Sequence, residues 1–386
     1  MLSVLLLAVA VAGALSRPGG MPPWMAPAAC AVVALAFGTV AHPAAVMRPL
    51  ADPLAFLVLA VPLAALLDRV GFFSAAAGLF AGNERLPLGL WVLGALVTTV
   101  LNLDAAVVLL TPLYVRLARR CGLDPLSIAF QPVLLSGLAS SALPVSNLTN
   151  LIAASSRDLS AAQFVSHLGL PSLAATTVGW FAYRRVLAPG VPDVTMREAP
   201  DRRALVIGGS AVVAVLAGFV LGPSLGVPEW VVALVADVVL VGVCRHVPLR
   251  DVPWGTALIA ASLGLLAGGA ATHLDLGRVL SGSSDLAWVR VAAVAGIGAN
   301  LVNNLPALLV ALPHTAAVWA LLLGVNMAPL VLITGTLAAL LWQASLGRLG
   351  IRVGAATFAR VGARVALPSF AAAVAVLLVL RPLVGG

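Results

Sequence analysis

Charge is scarce in this chain. Asp, Glu, Lys and Arg make up 9% of its 386 residues, against 61% hydrophobic, and its mean hydropathy is +1.09. Soluble domains carry roughly 25% charged residues, so a water-soluble fold is excluded and the chain is a polytopic membrane protein. Lysine is absent: all 22 basic residues are arginine. The Gly-rich phosphate loop ends in Lys-Ser/Thr, so ATP cannot be used by that route. The net charge of +8 belongs to arginines flanking membrane spans and does not point to nucleic acid. Cys30, Cys121 and Cys244 are too few and too scattered for a disulfide framework. His42, His167, His246, His273 and His314 fall at or near predicted span ends, and no His/Cys spacing resembles a metal site. No basic flank precedes the apolar start Met1–Leu15, as a cleaved signal would require, so it reads as a first, somewhat short spanning helix.

What is present is a series of apolar runs. A spanning helix needs roughly 20 such residues, and the candidates are Leu2–Leu15, Met25–Ala41, Pro53–Leu67, Ala162–Val186, Ala204–Leu221, Glu229–Cys244, Trp254–Thr272 and Val353–Leu380. Four further runs are broken by polar residues. Leu86–Arg116 is interrupted at Asn102–Asp104 and Ile128–Ser155 at Pro144–Asn147; Asp285–Ala320 is interrupted at Asn303–Pro306 and Met327–Leu346 at Thr334–Thr336. The tryptophans, among them Trp24, Trp180, Trp230, Trp254 and Trp342, mostly suit interfacial belts.

The breaks are duplicated. Leu101–Pro112 (LNLDAAVVLLTP) lies over Val302–Pro313 (VNNLPALLVALP) at an offset of 201, pairing Asn102 with Asn303 and Pro112 with Pro313. Pro53 and Pro253 head similar runs 200 residues apart. Duplicated broken segments at corresponding places in two halves point to a secondary transporter's binding site. Taking each first broken segment as a re-entrant hairpin and each second as a discontinuous transmembrane helix gives five crossings per half. An odd number turns the second half upside down. The expected fold is therefore all-α integral membrane, with two inverted five-helix repeats: residues 1–188 the first, 189–203 a cytoplasmic linker, and 204–386 the second. Under that topology 17 arginines fall on one side, and only Arg48, Arg157, Arg278, Arg290 and Arg381 on the other. The positive-inside rule then puts the first side in the cytoplasm and both termini outside it.

Unwound backbone survives at membrane depth only when buried or lining a wet cavity, and half-helix N-termini there suit oxygen-rich or anionic solutes. Asn102, Ser146, Asn147, Asn150, Asn303, Asn304, Thr334 and Thr336 are the expected substrate-binding residues. For each alone, a polar tie between helices is the competing reading. Asp104 is the sharpest single residue, because a carboxylate at a helix centre costs about 2.5–3.5 kcal/mol on insertion scales and none of its motif neighbours is basic. A proton or sodium ion is its natural counter-charge, and an N-cap role does not exclude this. Asp237, midway along Glu229–Cys244, is the second candidate for ion coupling. An enzyme would need a second acid, a His or a metal cluster beside Asp104, and a pore needs no paired broken helices. No catalytic residue, metal or cofactor is expected beyond the ion gradient that drives transport.

The stretches NLDAAVVLLTP (Asn102–Pro112), ALPVSNLTNLIAA (Ala142–Ala154), NLVNNLPALL (Asn300–Leu309), APLVLITGTLAALLW (Ala328–Trp342) and LLDRVGFF (Leu66–Phe73) resemble the arsenical pump membrane protein family. These are bacterial arsenite/antimonite efflux permeases of the ion transporter superfamily. The resemblance runs from about Pro53 onward. It implies two inverted repeats with hairpins, a location in the bacterial inner membrane, and a site lined by the residues just named. Many members read Asn-Asp adjacent at the first tip, whereas Leu103 separates Asn102 from Asp104 here; the chain is also expected to lack an extra N-terminal helix common in the superfamily. The first departure bears on substrate more than on fold. Arsenite at neutral pH is mostly the uncharged trihydroxide, which suits Asn, Ser and Thr with one titratable Asp. A three-thiolate site is disfavoured, since Cys30 and Cys244 lie in different predicted helices and Cys121 in a loop. Export of arsenite or antimonite in exchange for protons is the leading expectation. Cation-coupled anion or carboxylate transport, or sodium/proton antiport, is the alternative. A separate soluble ATPase docked on the cytoplasmic face is the one protein partner left open.

Overall fold

The structure, a computed structural model, describes residues 1–16, 18–80, 84–192, 201–222, 225–271 and 273–384. Arg17 and Arg197 of the charge count, Thr272, and the linker's central residues 193–200 lie outside the described residues. Every regular element among the described residues is helical, and no strand occurs among them. The principal helices of the first part are α1 (Leu2–Ser16), α2 (Met25–Ala36), α3 (Ala51–Val70), α4 (Leu86–Val100), α5 (Leu103–Arg120), α6 (Pro125–Leu138), α7 (Leu148–Arg157) and α8 (Leu170–Leu187). Those of the second are α9 (Arg202–Leu221), α10 (Glu229–Cys244), α11 (Trp254–Ala271), α12 (Asp285–Val302), α13 (Asn304–Ala311), α14 (Val318–Met327), α15 (Leu337–Arg348) and α16 (Ala355–Val384). Pro43–Val70, Arg202–Leu221, Leu249–Ala271, Asp285–Val302 and Ala355–Leu383 are long and apolar enough to cross a membrane by length and composition.

The centre of the molecule follows from composition. The sequences of α6 (PLSIAFQPVLLSGL) and α14 (VWALLLGVNM) are apolar nearly all round, and such helices belong inside a bundle. All ten residues of α14 and every residue of α6 from Ser127 on are buried. The two helices meet at Gly137, where a Cβ would come within 3.0 Å of the Asn326 carbonyl; only glycine lets the backbones approach so closely. Helices α8 and α16 pack along each other, with Gly179 facing the Ser369 hydroxyl.

The outer helices pair across the two parts. Helix α10 runs parallel to α3: Trp230 Nε1 donates to Asp52 Oδ1 at 3.1 Å near their starts, and Cys244 Sγ lies 3.9 Å from the Leu66 carbonyl near their ends. Helix α2 runs parallel to α11 in the same way. A Cβ on Gly255 would sit 3.2 Å from the Trp24 ring, and one on Gly269 3.0 Å from Val40.

Several boundaries differ from the sequence expectation. The first break is only Leu101–Asn102, with Asp104 already inside α5. In the second half α12 and α13 are separated by Asn303 alone. The other two breaks are longer than expected, spanning residues 139–147 and 328–336, each with one 3-10 turn. The run Asp285–Ala320 does not continue to Ala320: α13 stops at Ala311 and α14 begins at Val318. The aligned prolines behave differently here. Pro112 is carried inside α5, which good helix formers continue to Arg120, whereas Pro313 lies in a 3-10 turn followed by extended Thr315. Arg157, from α7, donates to the carbonyls of Leu312 (2.6 Å) and Thr315 (3.0 Å), satisfying acceptors that the end of α13 leaves open. One aromatic expectation also fails. Trp342 is fully buried and donates to the Ala129 carbonyl at 2.6 Å instead of joining an interfacial belt. His167 does lie near the start of its span, in the π-helical turn before α8, where it is buried and stacked on Trp319 with ring centroids 4.4 Å apart.

Candidate functional site

Four helices begin at one cavity. Its lining includes Leu103 and Asp104 at the start of α5, Asn147–Thr149 at the start of α7, Asn303–Leu305 at the start of α13, and Leu337 at the start of α15; Val11 and Thr256 come from α1 and α11. Counted out to its open mouth, the space is about 710 Å³. Each of the four helices is capped by one of the residues expected from sequence. Asn102 Oδ1 accepts from the Asp104 N–H at 2.8 Å, Asn147 Oδ1 from Thr149 at 3.2 Å, Asn303 Oδ1 from Leu305 at 3.5 Å, and Thr336 Oγ1 from Ala339 at 3.1 Å. Asn and Thr are good caps because a short side-chain oxygen reaches the first free N–H groups. The remaining N–H groups and the aligned peptide dipoles leave partial positive charge at each start.

Asp104 sits in the first turn of α5, lines the cavity, and its Oδ1 is buried with no hydrogen-bond partner among the described residues. A carboxylate at a helix N-terminus is favoured by the dipole. It is the one ionisable side chain among the described lining residues, which include no arginine or cysteine.

The remaining expected residues serve the breaks. Ser146 Oγ contacts the Ser140 carbonyl (3.1 Å) and the Leu143 carbonyl (2.6 Å), and Asn150 Nδ2 donates to the same two at 2.8 and 2.9 Å. The Thr334 carbonyl accepts from Asn303 Nδ2 at 3.2 Å, and the Gly335 carbonyl accepts from the Asn304 N–H at 3.0 Å. Asn303 needs those ties, because its φ of 80° lies where non-glycine backbone is strained. Asn304 lines the cavity; Ser146, Asn150, Thr334 and Thr336 do not. Asp237 does not line it either. It lies on the buried face of α10, which packs along α3, and its Oδ1 also has no partner among the described residues.

Sequence inspection passed over several residues that the structure brings in. Thr149 and Thr256 line the cavity. Asn326, buried in α14, accepts from Asn147 Nδ2 (3.0 Å) and Thr149 Oγ1 (2.7 Å) and donates to Asn150 Oδ1 (2.7 Å) and Ser141 Oγ (3.2 Å). It stood between two predicted segments, although a lone Asn in an apolar run is the available signal. Thr99 and Asn300, aligned by the 201-residue offset, make matching bonds. Thr99 Oγ1 donates to the carbonyls of Ala95 (2.8 Å) and Ala139 (2.9 Å), and Asn300 Nδ2 to those of Gly296 and Ala328 (both 2.9 Å). In each part the side chain ties its own preceding turn to the carbonyl that opens the facing break.

Compared with known proteins, the chain matches the citrate transporter family over residues 3–337. It is 26% identical over 374 residues to an arsenical pump membrane protein of Yersinia enterocolitica, covering 85% of this chain and 87% of that one. It is 27% identical over 361 residues to an arsenical pump membrane protein of Escherichia coli strain K12, covering 81% and 83%. An uncharacterized transporter of Mycobacterium tuberculosis is 28% identical over 308 residues, 70% of each chain.

Proposed function

The chain belongs to the citrate transporter family of membrane transporters, and on that basis we propose that it is a secondary transporter of the bacterial inner membrane that exports arsenite or antimonite in exchange for protons. The observation that carries this reading is the cavity where the starts of α5, α7, α13 and α15 meet around one unpartnered carboxylate, Asp104. Free N–H groups and amides suit a neutral trihydroxide that both donates and accepts hydrogen bonds. A cavity-lining acid whose buried Oδ1 has no partner among the described residues suits a proton that must come and go. The names of the relatives in Yersinia and Escherichia support the same substrate.

Asp104 carries the driving ion, and the cavity faces of Asn147, Asn303 and Asn304 hold the solute; Asn102 and Thr336 act as caps that shape it, while Ser146, Asn150 and Thr334 support the breaks. Asp237 is a second, separate candidate for ion coupling. The molecule is built as two inverted repeats, with α4–α5 and α12–α13 as hairpins and α6–α7 and α14–α15 as discontinuous helices. The matching bonds of Thr99 and Asn300 support this, as do the two parallel pairs α3 with α10 and α11 with α2.

Cation-coupled anion or carboxylate transport is the second reading. The family's description and the four positive helix starts favour it; the lone acidic Asp104 disfavours a multiply charged anion. Growth of an arsenite-sensitive host with and without the gene separates the two. Resistance with membrane expression supports arsenite export, whereas unchanged sensitivity together with gradient-driven citrate uptake favours the second reading.

A further inference from the structure

The side chain of Asn326 uses all of its hydrogen-bonding capacity on the other half of the chain. A carboxamide offers two donor hydrogens and two acceptor lone pairs, and here both lone pairs and both hydrogens are taken by Ser141, Asn147, Thr149 and Asn150. The orientation is fixed. Asn150 Nδ2 is already committed to the Ser140 and Leu143 carbonyls, so its Oδ1 must accept, and it accepts from Asn326 Nδ2. Asn147 Oδ1 is committed to the cap of α7, so its Nδ2 must donate, and it donates to Asn326 Oδ1. Turning the amide over would set oxygen against oxygen and nitrogen against nitrogen. Asn326 also stands where α14 crosses α6, its backbone carbonyl against Gly137, so its place is set by the packing of the two central helices.

We infer that Asn326 is a positioning residue for the cavity: it holds Asn147 and Thr149 at the start of α7 and takes up the Thr149 hydroxyl hydrogen and one of the two Asn147 amide hydrogens, so that solutes meet the other Asn147 N–H and the helix start. Asn326 does not line the cavity and acts only through them. The inference rests on the reading of this cavity as the transport site. Losing Asn326 would free two buried donors beside the solute and loosen the start of α7, changing affinity more than turnover.

The test is arsenite uptake into everted membrane vesicles driven by an imposed pH gradient. Asn326→Leu and Thr149→Val are each expected to raise the half-saturating arsenite concentration roughly tenfold, the effect of losing one or two buried hydrogen bonds, with maximal rates within about twofold. The double variant is expected to be no worse than the weaker single one, as for residues acting through one contact. Asn326→Asp, held protonated so that its hydroxyl donates to Asn150 Oδ1, keeps an oxygen for Asn147 and Thr149 and is expected to restore affinity to within about threefold; it also carries the test if the Leu variant does not insert. An unchanged half-saturation in the Asn326 variants, or effects that multiply in the double variant, would overturn the inference. Failure of the wild-type protein to move arsenite counts against the transport reading alone. Asn326 is then judged by thiol labelling of Leu148→Cys, with the native cysteines changed to serine. A severalfold change in labelling rate on adding Asn326→Asp or Asn326→Leu supports the positioning role, and equal rates refute it.

Discussion

Asp104 and Asp237 each have a buried carboxyl oxygen with no partner among the described residues, yet only Asp104 faces the cavity. That difference decides what their replacement does. Asp104→Asn keeps the size of the side chain and its place in the first turn of α5 but removes the exchangeable proton. We expect such a protein to be inserted and folded, with a melting temperature close to that of the wild type, and unable to concentrate arsenite in everted vesicles. Continued uphill accumulation would reduce Asp104 to a residue of the helix start. Asp237→Asn is expected to retain most of the uphill transport, since it changes the packing of α10 along α3 and leaves the four helix starts untouched. At Asn303 the cost is in the backbone. A positive φ costs about 1–3 kcal/mol without glycine, and Asn303→Gly is expected to preserve folding while losing the ties to Leu305 and Thr334. Equal transport rates in that variant would show that the Asn303 side chain serves only to restrain its own turn.

Close approach of elements depends on a few small residues. Gly137 admits the Asn326 carbonyl and the Leu330 side chain, and Gly362 lies against the backbone carbonyl of Leu330. An added methyl at Gly137 must displace the Leu330 side chain and crowds the Asn326 carbonyl of α14, and overpacking of this kind costs about 1–3 kcal/mol. Gly137→Ala is expected to lower the detergent-solubilised melting temperature by several degrees. Gly362→Ala is expected to do more, because the obstructing atom is backbone and cannot rotate away. Melting temperatures in the reverse order would place the tighter crossing between α6 and α14. The helices that frame the breaks show why their ends needed coordinates. Pro112 and Pro313 occupy aligned positions, but α5 continues through its proline while α13 stops just before its own, with Arg157 satisfying the open carbonyls.

Across the whole molecule, the pairing of α3 with α10 and of α11 with α2 means that each part buries its outer helices partly against the other. The proposed inverted repeat, with five crossings per half, would put both ends of the chain on one side, and the arginine sidedness would make that side the outside of the cytoplasm. An alkaline phosphatase fused after residue 386 is therefore expected to be active, and one fused within the linker at residues 189–192 inactive. Activity of the linker fusion with silence of the C-terminal one would reverse the topology and the meaning of the arginine sidedness.

The sequence by itself determined the class and much of the location of the candidate site. With 61% hydrophobic residues and 9% charged, the chain has too few polar groups to cover a water-soluble body, and that follows from composition without coordinates. The capping residues Asn102, Asn147, Asn303 and Thr336 were legible because a helix start inside an apolar run needs a polar side chain there, and such residues stand out against their neighbours. Tertiary structure alone decided which of the marked residues share one cavity and which only fasten a loop. Ser146 and Asn150 differ from Asn147 by the direction of their side chains, and direction depends on how the break is folded. It also separated Asp237 from Asp104, since the placing of α10 beside α3 is a contact between segments about 180 residues apart. Asn326 shows the same limit. A single Asn in an apolar helix carries no local mark of its partners, and its four bonds exist only because the crossing at Gly137 brings α14 against the break between α6 and α7.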